Sequence, residues 1–269
     1  MGYLYGGIAC IVLGIILFFV RQSKKKSLFS VLSAPKRSCV ELQEMAKQIA
    51  EEIGAGSFNE RVKVSGKVET VSPLISELAS RECVYYQSSV YRKFEDYETY
   101  EDSEGKTRER RVTKEEQLSS NSNQIPFELN DGSGKIQVNL KGASLDTMKV
   151  LDQFVPGESS GSMLSFGSFS FNLGNRDWGR ARTLGYRYEE YIIPVKASML
   201  VVGEANDAGG ALSLGKPADK DYKYIVSLKS EQDFVSGAKS SIKWLNIFAQ
   251  IFTLGGAVLA ALQFILEKK

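Results

Sequence analysis

The sequence contains no histidine and little cysteine, and these absences exclude several kinds of site. Among its 269 residues there are only three cysteines, Cys10, Cys39 and Cys83. Ser-His-Asp and Cys-His catalytic sites are excluded, as are histidine-ligated metals and a four-cysteine zinc site from one chain. Because Cys10 lies in an apolar segment, only the other two could pair, and a disulfide framework is not supported. We expect no catalytic residues, no metal and no cofactor.

An excess of charge of one sign is also absent. The chain has 34 lysines and arginines against 32 aspartates and glutamates, which gives a net charge of +2. A protein that binds nucleic acid through its phosphates usually carries a strong basic excess. We therefore expect no nucleic acid among the partners of this protein.

Two long stretches without charge stand near the ends of the chain. Residues 2–20 contain no charged side chain and are followed by the basic segment 21–37. That length is enough to cross the ~30 Å hydrocarbon core of a bilayer. A cleaved signal peptide is the alternative, but no positive side chain precedes the apolar run and no small-residue cleavage site follows it. The second stretch lies in 242–266, so we expect two transmembrane helices with a domain over 38–241 between them.

Small and polar residues in these stretches recur at helical spacing and are candidates for helix–helix contact. Small side chains allow helices to approach closely, and polar ones form hydrogen bonds between helices. The alternative is that three scattered polar residues in the second stretch are tolerated singly. The helix-contact candidates are Gly7, Cys10 and Gly14 in the first stretch and Asn246, Gln250 and Thr253 in the second.

The flanking charges indicate an orientation for the two predicted spans. Arg21 and three lysines follow the first span, and Lys239 and Lys243 precede the second. The positive-inside bias then places the intervening domain on the cytoplasmic side, although long loops follow this rule weakly.

The middle of the chain predicts a mainly β fold, a barrel or a sandwich, with one short amphipathic helix. The helix is expected over 38–56, where Ser38 and Glu41 fit a capping box and Gly54 ends the pattern. Beyond it, apolar residues alternate in short runs separated by turn residues. In 125–140 two such runs flank "NDGSG", which predicts a hairpin.

A block of acidic residues followed by a block of basic residues occupies 95–114. A chain that turns at Glu104 and Gly105 would place Glu98 opposite Arg111, with further acid–base pairs on either side. The alternative is a disordered, solvated run of charges. We favour a β-ribbon whose charges balance internally.

The stretch 157–179 is rich in glycine and serine and carries alternating aromatic residues. It predicts either a flexible loop with one weak strand or an apolar lip that contacts the bilayer or a partner. The interaction candidates are Phe166, Phe169, Phe171, Leu173 and Trp178.

Motifs with chemical meaning are scarce elsewhere. "DGSGK" at 131–135 is too short for a phosphate-binding loop and lies between two strands. Glu189 and Glu190 are adjacent on a predicted strand, so they point to opposite faces and make a poor acid/base pair. Cys83 is expected to be a small buried hydrophobe.

Four stretches resemble the GIDE family of two-span proteins, also called BAM, for "beside a membrane". They are "VSGKVET" with "PLISELASRECVYYQ" in 64–87, "IPFELNDGSGKIQV" at 125–138, "RTLGYRYEEYIIPVKASMLVVGEA" at 182–205, and the segment through "KPADKDYKYIVSLKSEQDF" at 216–234. The resemblance covers most of residues 60–265, and the order of anchor, β-rich domain and anchor also matches.

The resemblance implies a membrane-held recognition domain. Eukaryotic members act as ubiquitin ligases through a RING finger after the second span, whereas this sequence ends soon after that span and lacks the Cys/His set that a RING requires. We therefore expect a RING-less, bacterial member that serves as a non-enzymatic recognition or scaffold module. Membrane lipid, a protein or small ligand of the β domain, and further copies of the chain are the expected partners. The alternative is a subunit of a transport or pore-forming assembly, suggested only by the polar stripe of the second span.

Overall fold

The computed structural model describes residues 2–157, 163–167, 169–172, 174 and 178–266, with side chains between 5 and 262. The helices are α1 (Gly2–Ser33), α2 (Cys39–Ile53) and α3 (Glu231–Leu266). The strands are β1 (Asn59–Glu69), β2 (Leu74–Ile75), β3 (Glu82–Glu101), β4 (Thr107–Gln124), β5 (Phe127–Asn130), β6 (Lys135–Val138), β7 (Ser144–Asp146), β8 (Met148–Pro156), β9 (Met163–Phe166), β10 (Phe169–Asn172), β11 (Arg182–Pro194), β12 (Ser198–Asn206), β13 (Ser213–Gly215) and β14 (Ile225–Ser227).

This architecture confirms the predicted fold class. The segment between α1 and α3 is mostly β-strand and contains one short helix. By length and composition, α1 and α3 could each cross a membrane, with candidate spans Tyr5–Ser33 and Glu231–Leu262.

Both long helices extend beyond the uncharged stretches. α1 continues through the basic segment that the sequence analysis treats as a linker and ends at Ser33. Lysine, arginine, serine and leucine are tolerated in helices, and the first proline after the span is Pro35. α3 begins at Glu231, before its uncharged stretch, with acidic residues in its first turn that complement the helix dipole.

The short helix α2 has the predicted capping box. The Ser38 side chain accepts a hydrogen bond from the Glu41 backbone N–H, and the Glu41 side chain accepts one from the Ser38 N–H. Gly54 follows the last turn with φ of 99°, a conformation that disfavours other residues. Leu42 and Ala46 lie on the buried face of this amphipathic helix, whereas Ile53 at its end is exposed.

The described chain forms two compact units, each built from segments that are separated in sequence. The first comprises Met1–Gly66, Leu129–Asp146 and Ser198–Lys269, and the second comprises Lys67–Glu128 and Thr147–Ala197. The strands of the expected 38–241 domain are therefore shared between two units, and the outer boundaries of that domain stay a prediction.

The first unit contains a closed β-barrel. The sheet order β1-β5-β6-β13-β12-β14-β7 includes an additional pairing of β1 with β12, so β1, β5, β6, β13 and β12 form a ring. Val62, Val64, Leu129, Val201 and Leu214 are fully buried. The predicted hairpin at "NDGSG" is present as β5 and β6, and its apolar residues Ile136 and Val138 are buried.

The second unit is an antiparallel sheet with a small hairpin against its core. β2, β3, β11 and β8 lie side by side in that order, and β4 pairs with β3. β9 and β10 form a separate two-stranded sheet. The buried cluster of the unit is Leu78, Val90, Leu118, Leu164, Phe169, Tyr186 and Tyr188.

The charged stretch is a β-ribbon, as predicted, but the predicted register was wrong by one residue. Glu98 lies opposite Arg110 and Tyr97 opposite Arg111. The reason is the turn: the Asp102 N–H donates to the Lys106 carbonyl at 2.9 Å, which leaves three residues in the loop instead of two. Gly105 takes the positive φ of 75° that such a loop requires at its last position.

Candidate functional site

The two candidate spans pack against each other along a line of small residues. A Cβ placed on Gly7 would lie 2.7 Å from the Gly256 carbonyl oxygen, and one on Gly14 would lie 3.1 Å from the Thr253 backbone nitrogen. A Cβ on Gly256 would in turn lie 3.0 Å from the Cys10 Cβ. The backbones are thus close enough that only glycine fits at the narrowest points.

The predicted contact residues of α1 lie in the interface between the helices, but of those on α3 only Thr253 does. All three candidates on α1 face α3, and Thr253 faces α1. Ala249 is buried, whereas its neighbour Gln250 is exposed and Asn246 is half-buried. The contact line on α3 therefore follows Ala249, Thr253 and Gly256, and the polar stripe overlaps with it only at Thr253.

Beyond the spans, α1 ends against the wall of the barrel. Val31 and Ala34 are buried with Leu200, Val202 and Ile225, and Phe234 and Val235 of α3 pack against the same cluster. The helices therefore share one apolar core with β12 and β14.

Two basic side chains of β1 bind the last turn of α1. Lys63 donates from Nζ to the Val31 carbonyl at 3.2 Å and forms an ion pair with Glu231 at 2.6 Å. Arg61 donates to the Ser33 carbonyl at 3.0 Å, and its guanidinium lies 3.6 Å from the centre of the Tyr222 ring. Cations complement the carbonyl end of a helix, so these contacts fix α1 to the barrel.

A cleft of about 280 Å³ lies where α1, α3, β7 and β14 meet. Leu145, Ile225 and Phe234 form its apolar wall. Its polar lining residues are Lys24, Ser27, Ser144, Asp146, Lys229, Asp233 and Ser241. Lys24 stands about one helical turn beyond the first uncharged stretch, and Ser241 shortly precedes the second. A bilayer crossed by these helices would therefore have its headgroups beside the cleft.

The cleft is lined by two lysines and two aspartates, and these differ in how many partners they have within the chain. Asp146 accepts a hydrogen bond from the Ser227 hydroxyl at 2.8 Å and pairs with Lys229 at 3.4 Å. Asp233 accepts a hydrogen bond from the Ser230 hydroxyl at 2.6 Å. Lys24 forms no ion pair with any residue that the structure describes, so its ammonium group is available to a ligand.

These groups can bind a ligand that carries both charges. Ammonium and hydroxyl groups donate to phosphate oxygens, while the carboxylates accept from an ammonium group. A volume of about 280 Å³ suits a small polar group rather than an extended molecule. Sequence reasoning missed this cleft because its lining residues come from distant parts of the chain and share no motif.

The aromatic interaction candidates lie against the core of the second unit. Phe169 is buried, Phe171 is stacked on it with ring centres 6.5 Å apart, and Phe166 is stacked on Tyr188 at 4.2 Å. Trp178 covers the guanidinium of Arg92 at 3.8 Å. Leu173 lies outside the described residues. The placement of the other four favours a packing role over an exposed apolar lip.

The second unit also buries two charged residues, Arg92 and Glu190, of which sequence reasoning considered only Glu190. Arg92 is 1% exposed, donates to the Thr183 hydroxyl at 2.7 Å and pairs with Glu116 at 3.3 Å. Glu190 is fully buried, and its carboxylate accepts three hydrogen bonds from residues 76–79. As predicted, the neighbouring Glu189 points away from it and pairs with Lys149 at 3.0 Å. Both buried groups have partners within the chain, which is typical of structural charges.

The residues present do not fit the zinc ions of a RING finger. In the part of the chain that the structure describes, no three histidine, cysteine, aspartate or glutamate side chains could hold a metal ion together. Cys39 and Cys83 are buried separately, and burial raises the pKa of the first to about 12 and of the second to about 11. Such thiols are protonated near neutral pH and are poor metal ligands and nucleophiles.

Comparison with known families places these features in context. A family model described as "GIDE: E3 Ubiquitin ligase" matches residues 95–260, more than half of the chain. This protein belongs to the GIDE family. The match spans most of the β-rich part and most of α3, and it confirms the resemblance on which the sequence analysis relied. No curated protein and no solved structure matches the chain.

Membership links the chain to a membrane-associated family that includes E3 ubiquitin ligases. The two apolar helices fit that association.

Proposed function

We propose that this GIDE protein is a membrane-anchored, non-enzymatic recognition and scaffold module. The observation that carries the proposal is the fixed attachment of the barrel to both candidate spans. α1 and α3 share a core with the barrel, and Lys63 binds both the end of α1 and the start of α3. A barrel held in this way has a set position beside the bilayer, which suits recognition of a ligand or partner there.

The cleft between the helices and the barrel is the proposed recognition site. Its ligand is the headgroup of a membrane phospholipid that carries both a phosphate and a primary ammonium group, such as phosphatidylethanolamine. Lys24 supplies a free cation for the phosphate, and Asp146 and Asp233 accept from the ammonium. A purely anionic headgroup suits the lining less well because it has no ammonium group to pair with these carboxylates.

Lipid retention by the purified full-length chain tests the cleft. The protein is extracted in detergent, reconstituted in nanodiscs of stated composition and analysed by native mass spectrometry. We expect retention of one phosphatidylethanolamine per chain, in preference to phosphatidylcholine or phosphatidylglycerol. Water-soluble phosphoethanolamine is added as a competitor, which distinguishes a lipid ligand from a free phosphorylated one.

A matched pair of variants assigns the retained lipid to the cleft. Lys24→Ala removes the free cation, whereas Lys25→Ala removes the same charge from the next residue, which does not line the cleft. We expect the first variant to lose the lipid and the second to keep it. Equal retention by both variants, or no preference among the three lipids, would refute this site.

The barrel is proposed to lie on the cytoplasmic side. Arg21, Lys24, Lys25, Lys239 and Lys243 all lie on the flanks of the spans that face the barrel. Protease added outside sealed, right-side-out vesicles should leave the β-rich segment intact. Its complete digestion there would reverse the orientation.

A further inference from the structure

Strand β4 lies at an edge of the sheet that the described residues form. Within the described part of the chain, β4 pairs only with β3, so the opposite edge of an 18-residue strand is open. Proteins usually protect such edges from pairing with another chain, and charged side chains are a common means. On this strand, however, the order of the charges favours one particular partner.

The backbone geometry determines which residues can pair at the open edge. The hydrogen bond between Asp102 and Lys106 begins the β3–β4 ladder, and bonded pairs then recur at every second position. Even-numbered residues from Arg108 to Glu116 therefore direct their N–H and C=O groups toward β3. Odd-numbered residues, with Thr113 at their centre, direct theirs outward.

An antiparallel partner with the same sequence satisfies both the backbone and the charges. If Thr113 lies opposite Thr113 of a second copy, the outward-facing groups of each strand bond to each other. Arg111 then lies opposite Glu115 of the second copy, and Arg110 opposite Glu116. The two-fold symmetry repeats both pairs, which gives four acid–base pairs across one short ladder.

Neighbouring registers are disfavoured by like charges. If Val112 lies on the symmetry axis instead, Glu109 faces Glu115 and Arg110 faces Lys114. If Lys114 lies on the axis, it faces its own copy. Like charges directly opposite each other destabilise a β-pair, so the sequence selects the register centred on Thr113.

We propose that the protein forms a homodimer in which β4 pairs with β4 of a second copy, antiparallel and centred on Thr113. The four side chains of the charge pattern are accessible for this pairing. Arg110 is 63% exposed and Arg111 59%, while Glu115 and Glu116 are 39% and 38% exposed. Their contacts within the chain are with β3 and β11 on one side of β4, so they can also pair on the other side.

Charge reversal on one partner at a time tests the pairing. Arg111→Glu alone places like charges opposite each other in its own dimer, and so does Glu115→Arg alone. When the two variants are mixed, the new glutamate at 111 of one chain faces the new arginine at 115 of the other, and the native Arg111 and Glu115 face each other. A heterodimer therefore forms. With differently tagged full-length chains in detergent, we expect co-purification of the mixed pair to exceed that of either variant with itself at least tenfold.

Disulfide crosslinking reads the register directly. In a Cys10→Ala background, Thr113→Cys places two thiols on the symmetry axis, where Cα atoms of a bonded pair lie about 5.5 Å apart. That distance is within the range of a disulfide. Gln117→Cys is the matched control on the same edge, because its copies would stand about 26 Å apart, eight residues along the strands. We expect an oxidant to crosslink the first variant and not the second.

A folding control and a lipid measurement accompany both experiments. Native Cys39 and Cys83 should stay unreactive toward maleimide in every variant, which shows that the fold is intact. In correctly folded variants, absence of the Thr113→Cys crosslink, equal crosslinking at both positions, or failure of the charge-reversed chains to pair would overturn the proposal. Lipid retention is measured on the same samples, so the homodimer and the cleft can fail independently.

Discussion

Replacing Glu190 with glutamine tests whether a buried carboxylate holds residues 76–81 in place. Its two oxygens accept hydrogen bonds from the Ser76 hydroxyl, the Leu78 N–H and the Ala79 N–H, each at 2.8 Å. The Arg81 N–H donates to the same serine hydroxyl at 3.0 Å. The carboxylate therefore sets the conformation of the whole turn.

The size of the destabilisation by Glu190→Gln follows from counting the hydrogen-bond donors around the side chain. A glutamine has one carbonyl oxygen, so in either orientation its amide N–H₂ meets the backbone N–H of Leu78 or Ala79. One buried donor is left without a partner, which costs about 1–3 kcal/mol, and the remaining bonds lose their charge assistance. We expect a total loss of about 2–4 kcal/mol in the free energy that protects this turn.

Hydrogen exchange at Leu78 and Ala79 measures this loss locally. A loss of this size corresponds to exchange about 30- to 1,000-fold faster than in the wild type. Glu189→Gln is the matched control: its side chain lies on the opposite face and pairs with Lys149 and Arg187 instead of residues 76–79. We therefore expect exchange at Leu78 and Ala79 to change less than about tenfold, which corresponds to about 1.4 kcal/mol. Unchanged exchange in Glu190→Gln, or equal acceleration in both variants, would refute this reasoning.

Three further predictions concern the spans, the surface charges and the activity. Gly256→Leu should separate the helices and speed the alkylation of Cys10 in micelles, because a Cβ at Gly256 would lie 2.7 Å from a backbone oxygen of α1. Gly255→Leu is the control and should leave the alkylation rate unchanged, since a Cβ at Gly255 meets nothing within 4 Å. Hydrogen bonds from Arg187 and Lys149 lower the pKa of Asp152 below its usual value of about 3.9. The ionised Asp152 therefore stabilises the fold above that pH, and this contribution is lost as the pH falls toward the lowered pKa. Asp152→Asn should therefore lower the denaturation midpoint at pH 7 and reduce its further decrease between pH 4 and 2. Finally, purified protein with ubiquitin-activating and ubiquitin-conjugating enzymes should give no more conjugates on an immunoblot than a reaction without it; ubiquitin transfer that depends on the protein would contradict the non-enzymatic proposal.

Local sequence patterns were sufficient to predict the elements whose causes are local. The capping box at Ser38 and Glu41 involves residues three apart, and it forms as predicted. The two apolar helices follow from uncharged length alone. The hairpin at 125–140 follows from alternation around a glycine-rich turn, since period-two burial depends on neighbouring residues.

In the β3–β4 ribbon, the charge pattern predicted the hairpin but not its register. Opposite charges on either side of Gly105 predicted a hairpin, but they could not fix its register, because neighbouring registers also bring acids near bases. The Asp102 side chain decides between them: it accepts hydrogen bonds from the backbone N–H groups of Glu104 and Lys106, each at 3.0 Å, and so selects the longer loop.

The sequence by itself determined the mainly β fold between two apolar helices, the family, and the absence of histidine chemistry. Only the tertiary structure decided that Lys24, Asp146 and Asp233 line one cleft, and that Glu190 and the turn beginning at Ser76 meet in a core. These contacts join residues far apart in the chain, and which of them form depends on how the strands close into a barrel and a sheet. That choice is made by the burial of apolar surface over the whole domain, which no short stretch of sequence displays.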